Sequence, residues 1–193
     1  MPISIAFFVL ALFVNFAAIQ YATERASNPV DDIILSNTPV FEIDGLFVYG
    51  TLVYVLFALA LVLVRPNRIP FALHTLTLFF LIRAVFTSLT HIGLFEASYT
   101  SDFGATITRA FFGADSFFSG HTGMPFLGAL AFWHQKNLRY IFLAGTLYFA
   151  AIVLLGHLHY SIDVLAAPFI TYGIYHIALW LFPKERALFL SEK

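Results

Sequence analysis

His159 and Asp163 lie four residues apart in the segment HYSID. On a helix this spacing places both side chains on one face, within roughly 6 Å of each other. The carboxylate can then accept a hydrogen bond from one ring nitrogen, which leaves the other nitrogen with a lone pair for nucleophilic attack. The pair predicts His159 as a nucleophile. A histidine capped by an aspartate at a helix start is also a common structural arrangement, so both interpretations stay open.

A second histidine occurs in the segment SGHT, directly before an apolar run. Ser119 is typical of a helix N-cap, and Gly120 lets a ligand approach the backbone amides of the first helical turn, which bind anions. His121 could protonate a leaving oxygen and then take a proton from an incoming hydroxyl. The alternative is a capping turn that carries an interfacial histidine.

Two further residues could contact a phosphate group. Arg83 offers a planar fork of donors that neutralises phosphate charge, or it extends toward lipid headgroups as long cations do near membranes. His157 is either a headgroup contact or an interfacial histidine. The chain has no cysteine, which excludes disulfides, thiolate metal sites and a cysteine nucleophile, and its net charge of −1 gives no basic surface for nucleic acid.

These residues must be positioned by membrane helices. The 193 residues are 60% hydrophobic and 11% charged, with a mean hydropathy of +0.85, far more apolar than soluble domains. Continuous apolar runs predict an all-α integral membrane bundle in a single domain, 1–193, and a retained first helix rather than a signal peptide. The six predicted transmembrane helices are approximately 3–21, 46–64, 69–89, 118–134, 138–156 and 163–182.

The distribution of lysine and arginine predicts the orientation of these helices. Seven of the ten cations fall on one side, which the positive-inside rule makes cytoplasmic, together with both termini. Arg83, His121, His159 and Asp163 then meet at the outer ends of their helices. Because ionisable groups near a membrane are costly and usually face a polar cavity, their shared depth predicts an extracytoplasmic site. The seven cations are Arg65, Arg68, Lys136, Arg139, Lys184, Arg186 and Lys193.

Two motifs together resemble the sphingomyelin synthase family, within the type-2 phosphatidic acid phosphatase superfamily. Residues 113–122, GADSFFSGHT, resemble the family pattern C-G-D-x-x-x-S-G-H-T and keep Asp115 but not the Cys or the first Gly. Residues 159–164, HYSIDV, resemble H-Y-T-x-D-V, with Tyr160 kept and Ser in place of Thr. Arg83 is similar, more loosely, to an arginine on the family's third helix.

The resemblance implies a six-helix bundle whose exoplasmic site needs no metal or other cofactor. His159 would attack a phospholipid headgroup diester, Asp163 would orient it, and His121 would supply a proton to the departing diacylglycerol. A lipid hydroxyl, of ceramide or diacylglycerol, would accept the headgroup, and water could replace it in a phospholipase C side reaction. The other predicted substrate contacts are Ser119, Gly120, His157, Asp115 and Tyr160. An oligomer is compatible with this picture.

The sequence departs from the lipid phosphatases of the same superfamily. Their S-R-x-x-x-x-x-H motif would place an arginine six residues before His159, where Val153 stands. A phosphate monoester carries up to two charges and calls for several cations, whereas a diester carries one. Arg83 alone therefore favours a diester, although protonated His157 or His91 would add charge. A lipid or polyprenyl phosphate phosphatase and a non-enzymatic membrane protein remain alternatives.

Overall fold

The computed structural model describes residues 2–95 and 117–191, and all regular structure within them is helical. The predicted all-α class is therefore confirmed for these residues. Single 3-10 turns occur at Leu35–Asn37 and Pro66–Arg68. The helices are α1 Pro2–Glu24, α2 Asp44–Leu63, α3 Ile69–Leu89, α4 Gly120–Ala131, α5 Lys136–Leu155, α6 Ser161–Leu181 and α7 Pro183–Leu190.

Five helices of the described part are long and apolar enough to cross a membrane: α1, α2, α3 with its preceding turn, α5 and α6. They indicate a multi-pass membrane protein. The predicted span 118–134 contains only the twelve residues of α4, about 18 Å long at 1.5 Å per residue, against a hydrocarbon core of roughly 30 Å. A sixth span is thus not confirmed, and the orientation of the termini stays a prediction.

The short helix α4 lies in the interior of the bundle, where it packs against α5 and α6. Seven of its twelve residues are buried. At Gly123 an added Cβ would stand 2.8 Å from Thr171 Oγ1 and 3.0 Å from the ring of Phe79. In lipid, helices associate through close packing rather than through the hydrophobic effect, so a glycine at this contact lets α4 approach α3 and α6.

Two buried arginines bind carbonyl groups at one end of the bundle. Arg68 Nη1 donates to Leu61 O at 2.7 Å, near the C-terminus of α2, and Arg186 Nη1 donates to Ala131 O at 2.9 Å, at the C-terminus of α4. Cations are favourable at these carbonyl ends. Because both helices end here, their N-termini, including that of α4 with His121, lie at the opposite end.

At that opposite end, the connection between α1 and α2 crosses the ends of other helices. Ser27 N donates to His91 O at 2.7 Å, just beyond α3, and Phe41 N donates to Leu155 O at 2.9 Å, at the end of α5. We call residues 27–41 the strap. It also contacts the turn before α6, through Val30 and Tyr160, and the first residue of α6, through Asp32 and Ser161.

Candidate active site

Asp163 lies in the first turn of α6 and is 3% exposed. Its Oδ2 accepts a hydrogen bond from Tyr160 N at 3.1 Å and stands 3.7 Å from His159 Nδ1. The second distance is too long for a hydrogen bond but is that of a close ion pair if the imidazole is protonated. The two side chains meet as predicted, but not on a helix: α6 begins at Ser161, so they meet across its N-cap.

Ser119 is the N-cap of α4, as its residue type predicts. Its Oγ accepts from Thr122 N at 3.4 Å and from Thr122 Oγ1 at 3.2 Å. The side chain is fully buried, so the hydroxyl satisfies an otherwise unpaired amide of the first turn.

One main-chain hydrogen bond joins the two motifs. Ser119 N donates to Asp163 O at 3.1 Å, which fixes the start of α4 against the start of α6. His121 follows two residues later, and its ring centroid lies 4.5 Å from that of Phe47 on α2 and 5.8 Å from that of Phe149 on α5. Burial lowers the pKa of His121, and the neighbouring charges of His159 and Arg83 lower it further. The fold therefore brings the two predicted imidazoles together.

Arg83 lies against the start of α4 and is 8% exposed. Its Nε donates to Phe118 O at 3.3 Å and its Nη1 donates to Asn15 Oδ1 at 3.2 Å. A Cβ on Gly120 would stand 3.3 Å from the same Nε. The alternative in which this side chain extends toward headgroups is therefore wrong, since the guanidinium is turned inward to the SGHT segment.

Asp32 in the strap contacts the start of α6, and no pattern in the sequence predicted this contact. Its Oδ2 accepts from Ser161 N at 2.7 Å, and its Oδ1 accepts from Ile34 N at 2.9 Å and from Leu35 N at 3.1 Å. Burial acts to raise the pKa of Asp32, but these hydrogen bonds outweigh it and the pKa lies below its ordinary value. The carboxylate is thus charged at neutral pH.

His157 lies beneath the strap, 2% exposed, with its Nε2 3.3 Å from Thr38 Oγ1. Its φ of 53° is in the left-handed region, which a residue other than glycine occupies only when its surroundings hold it there. Burial lowers the pKa of His157, and the contact with Thr38 and the charge of Asp32 offset this only in part. The proposed positive charge on His157 is therefore disfavoured at neutral pH.

The remaining predicted residues take positions around this turn. Tyr160 is buried, and its hydroxyl donates to Gly93 O at 2.9 Å and accepts from Val30 N at 3.1 Å. His91 lies just beyond α3, with its Nε2 2.9 Å from Ser88 O. Asp115 lies outside the described residues. The substrate-binding roles of Ser119, Gly120, His157, Tyr160 and Asp115 stay predictions.

Residues 113–180 match the family model of the PAP2 superfamily C-terminal domain. The matched stretch holds both motifs and is a little over a third of the chain. It supports the type-2 phosphatidic acid phosphatase superfamily, whose members are phosphatases or phosphotransferases, and hence an enzyme that acts on phosphate esters. No curated protein matches the chain, and no solved structure does. The sphingomyelin synthase-like assignment stays a prediction.

Proposed function

We propose that this chain is a membrane phosphotransferase that moves the headgroup of a phospholipid to a lipid hydroxyl through His159. The observation that carries the proposal is the hydrogen bond from Ser119 N to Asp163 O, 3.1 Å. It joins the start of α4, which carries His121, to the start of α6, which His159 precedes. A nucleophile and a separate acid–base group in one partly buried site suit a two-step displacement.

In the first step, His159 Nε2 attacks the phosphorus while Nδ1 faces Asp163. The bond between phosphorus and the diacylglycerol oxygen breaks. His121, which takes up a proton when the anionic phosphodiester binds beside it, gives this proton to that oxygen. In the second step, the acceptor hydroxyl gives its proton back to His121 and its oxygen attacks phosphorus, which releases the nitrogen of His159. Asp163 stabilises the positive charge that His159 carries between the two steps. Only groups of this chain are used, with no metal or other cofactor.

The count of buried cations favours a diester. Arg83 is the one buried arginine or lysine at this end of the described residues, since Arg68 and Arg186 cap helices at the opposite end. One guanidinium matches the single charge of a diester, whereas a phosphate monoester carries about −1.5 to −2 at neutral pH. His157, held neutral by burial, adds no second charge. The donor we propose is a phospholipid with a phosphodiester headgroup, and the acceptor is ceramide or diacylglycerol.

A lipid or polyprenyl phosphate phosphatase is the second candidate. The match to the PAP2 superfamily C-terminal domain favours it equally, because that superfamily includes phosphatases. The same histidines would act, with water as the final acceptor. We propose an extracytoplasmic site in both cases, because most lysines and arginines belong to the opposite end.

Turnover by the purified protein in lipid vesicles separates these functions. Labelled phosphatidylcholine or phosphatidylethanolamine is supplied with ceramide, with diacylglycerol or with neither, and phosphatidic acid is tested in parallel. We expect transfer of the labelled headgroup only when an acceptor is present, and loss of transfer in His159→Ala. His134→Ala, at an exposed position, is the matched control. Release of inorganic phosphate from monoesters alone would favour the phosphatase, and no turnover of any phosphate ester would exclude both.

A further inference from the structure

The turn that carries His159 is held by the strap on both sides. His157 contacts Thr38 through its ring, and the Tyr160 hydroxyl accepts from Val30 N. At the next residue after Tyr160, Ser161 N donates to Asp32 Oδ2. Residues before and after the proposed nucleophile are therefore bonded to a segment more than a hundred positions away.

The contact of Asp32 is the shortest of these, at 2.7 Å, and it adds a second carboxylate to the cap that Asp163 provides within the same turn. Ser161 N is the first amide of α6, and such amides have no partner within their own helix. The N-cap residue is Tyr160, whose hydroxyl bonds Gly93 O and Val30 N. A carboxylate at a helix N-terminus is favourable both as an acceptor and as a charge. Asp32 provides it from 129 positions away.

Two carboxylates thus hold consecutive amides directly after His159. Asp163 accepts from Tyr160 N and Asp32 accepts from Ser161 N. Asp32 is itself held, since its other oxygen accepts two amides of the strap. We propose that Asp32 is a positioning residue for His159. Asp32 acts through the main chain of Ser161, whose amide it binds. This inference rests on the proposed function, and it extends the site to a segment outside the matched residues 113–180.

Steady-state kinetics of three variants test the inference. Without the carboxylate, the turn at 157–160 can rotate relative to α6. The angle at which His159 Nε2 approaches phosphorus then changes. Because small displacements of a reacting group cost up to about 100-fold in rate, we expect Asp32→Ala to lower kcat by about 10- to 100-fold, with KM for the lipid within about twofold. Asp32→Asn, which keeps one oxygen for Ser161 N, restores part of the rate. Asp31→Ala, at the exposed neighbouring position, keeps the wild-type rate.

Amide hydrogen exchange gives a readout that does not need turnover. In Asp32→Ala we expect exchange in peptides covering 157–163 to become at least about 10-fold faster, while peptides from the middle of α6 stay protected. An unchanged kcat in Asp32→Ala would overturn the inference, and so would faster exchange along all of α6, which would mean general unfolding. If the wild type were inactive on every phosphate ester, the proposed function would fail. Unchanged exchange at 157–163 in Asp32→Ala would show separately that Asp32 does not hold the turn.

Discussion

Ser119 and Asp163 are joined through their main chains, with 3.1 Å between the amide nitrogen of the first and the carbonyl oxygen of the second. The side chain of Asp163 takes no part in this bond. It contacts Tyr160 N and His159 instead. A substitution at Asp163 can therefore remove the charge beside His159 and keep the main-chain bond between α4 and α6.

Asp163→Asn removes the charge and leaves the junction. The amide oxygen of asparagine can still accept from Tyr160 N, so we expect little change in thermal unfolding. The positive charge on His159 between the two steps loses its counter-charge, and we expect kcat to fall by at least about 100-fold. Turnover and unfolding are measured on the same preparation, with Asp31→Asn as the control. Wild-type turnover in Asp163→Asn would refute the role of the carboxylate.

Arg83→Lys tests the fork of donors rather than the charge. Arg83 reaches Phe118 O and Asn15 Oδ1 through two different nitrogens, which a single ammonium cannot do in the same geometry. We expect kcat/KM for a phosphodiester lipid to fall at least about 10-fold. Arg139→Lys, at the opposite end of the bundle, serves as the control and keeps its activity. Equal values for the two variants would mean that charge alone matters at position 83.

Most helices follow from the sequence because apolar runs of about twenty residues have few alternatives in a membrane protein. The predicted span 69–89 coincides with α3, and 46–64 differs from α2 only at its ends. The span 118–134 was predicted too long, since α4 begins at Gly120, after its N-cap Ser119, and ends at Ala131, before a turn at 132–135. Helix α7 was not predicted, because its sequence PKERALFL is short and charged.

The site residues were predictable where local spacing decides the geometry. Ser119 as a cap and the pairing of His159 with Asp163 are of this kind. The contact of Asp32 with Ser161 joins positions 129 apart and leaves no periodic pattern in either segment. The two successive acids Asp31 and Asp32, in the connection between α1 and α2, were the only local signal, and loops often contain such pairs.

Gly120→Ala tests how closely Arg83 must approach α4. The new Cβ would stand 3.3 Å from Arg83 Nε, so the guanidinium must move by a few tenths of an ångström. Alanine is also a better helix former than glycine, so we expect unchanged or slightly higher stability. We expect a fall in kcat/KM of about three- to tenfold, measured with the phosphodiester donor.

Gly173→Ala is the control for Gly120→Ala. It lies on α6, and a Cβ there meets nothing within 4 Å among the described residues. Both variants replace a helical glycine by alanine, but only one crowds an arginine. A fall in activity of the same size in both would show that helix stiffness, and not the position of Arg83, is responsible.

His157 predicts a dependence of stability on pH. Its pKa in the folded protein lies below the ordinary value of 6.5 because the ring is buried. Below pH 6.5 His157 takes up a proton in the unfolded chain, and in the folded chain it does so only at lower pH. The free energy of unfolding is therefore highest with respect to this group above about pH 6.5, and it decreases as the pH falls toward the lowered pKa. We expect the apparent Tm to drop between pH 7 and pH 5. Part of this drop should disappear in His157→Asn.

Asparagine is chosen because it tolerates the left-handed φ of 53° at this position better than most residues do. It also keeps a side chain that can contact Thr38, and it does not titrate. His121 and His159 are present in both proteins, so their contribution to the pH dependence cancels in the comparison. Thermal unfolding at pH 7, 6 and 5 is measured for wild type and variant. If both lose the same number of degrees, His157 is not the group that weakens the fold in acid.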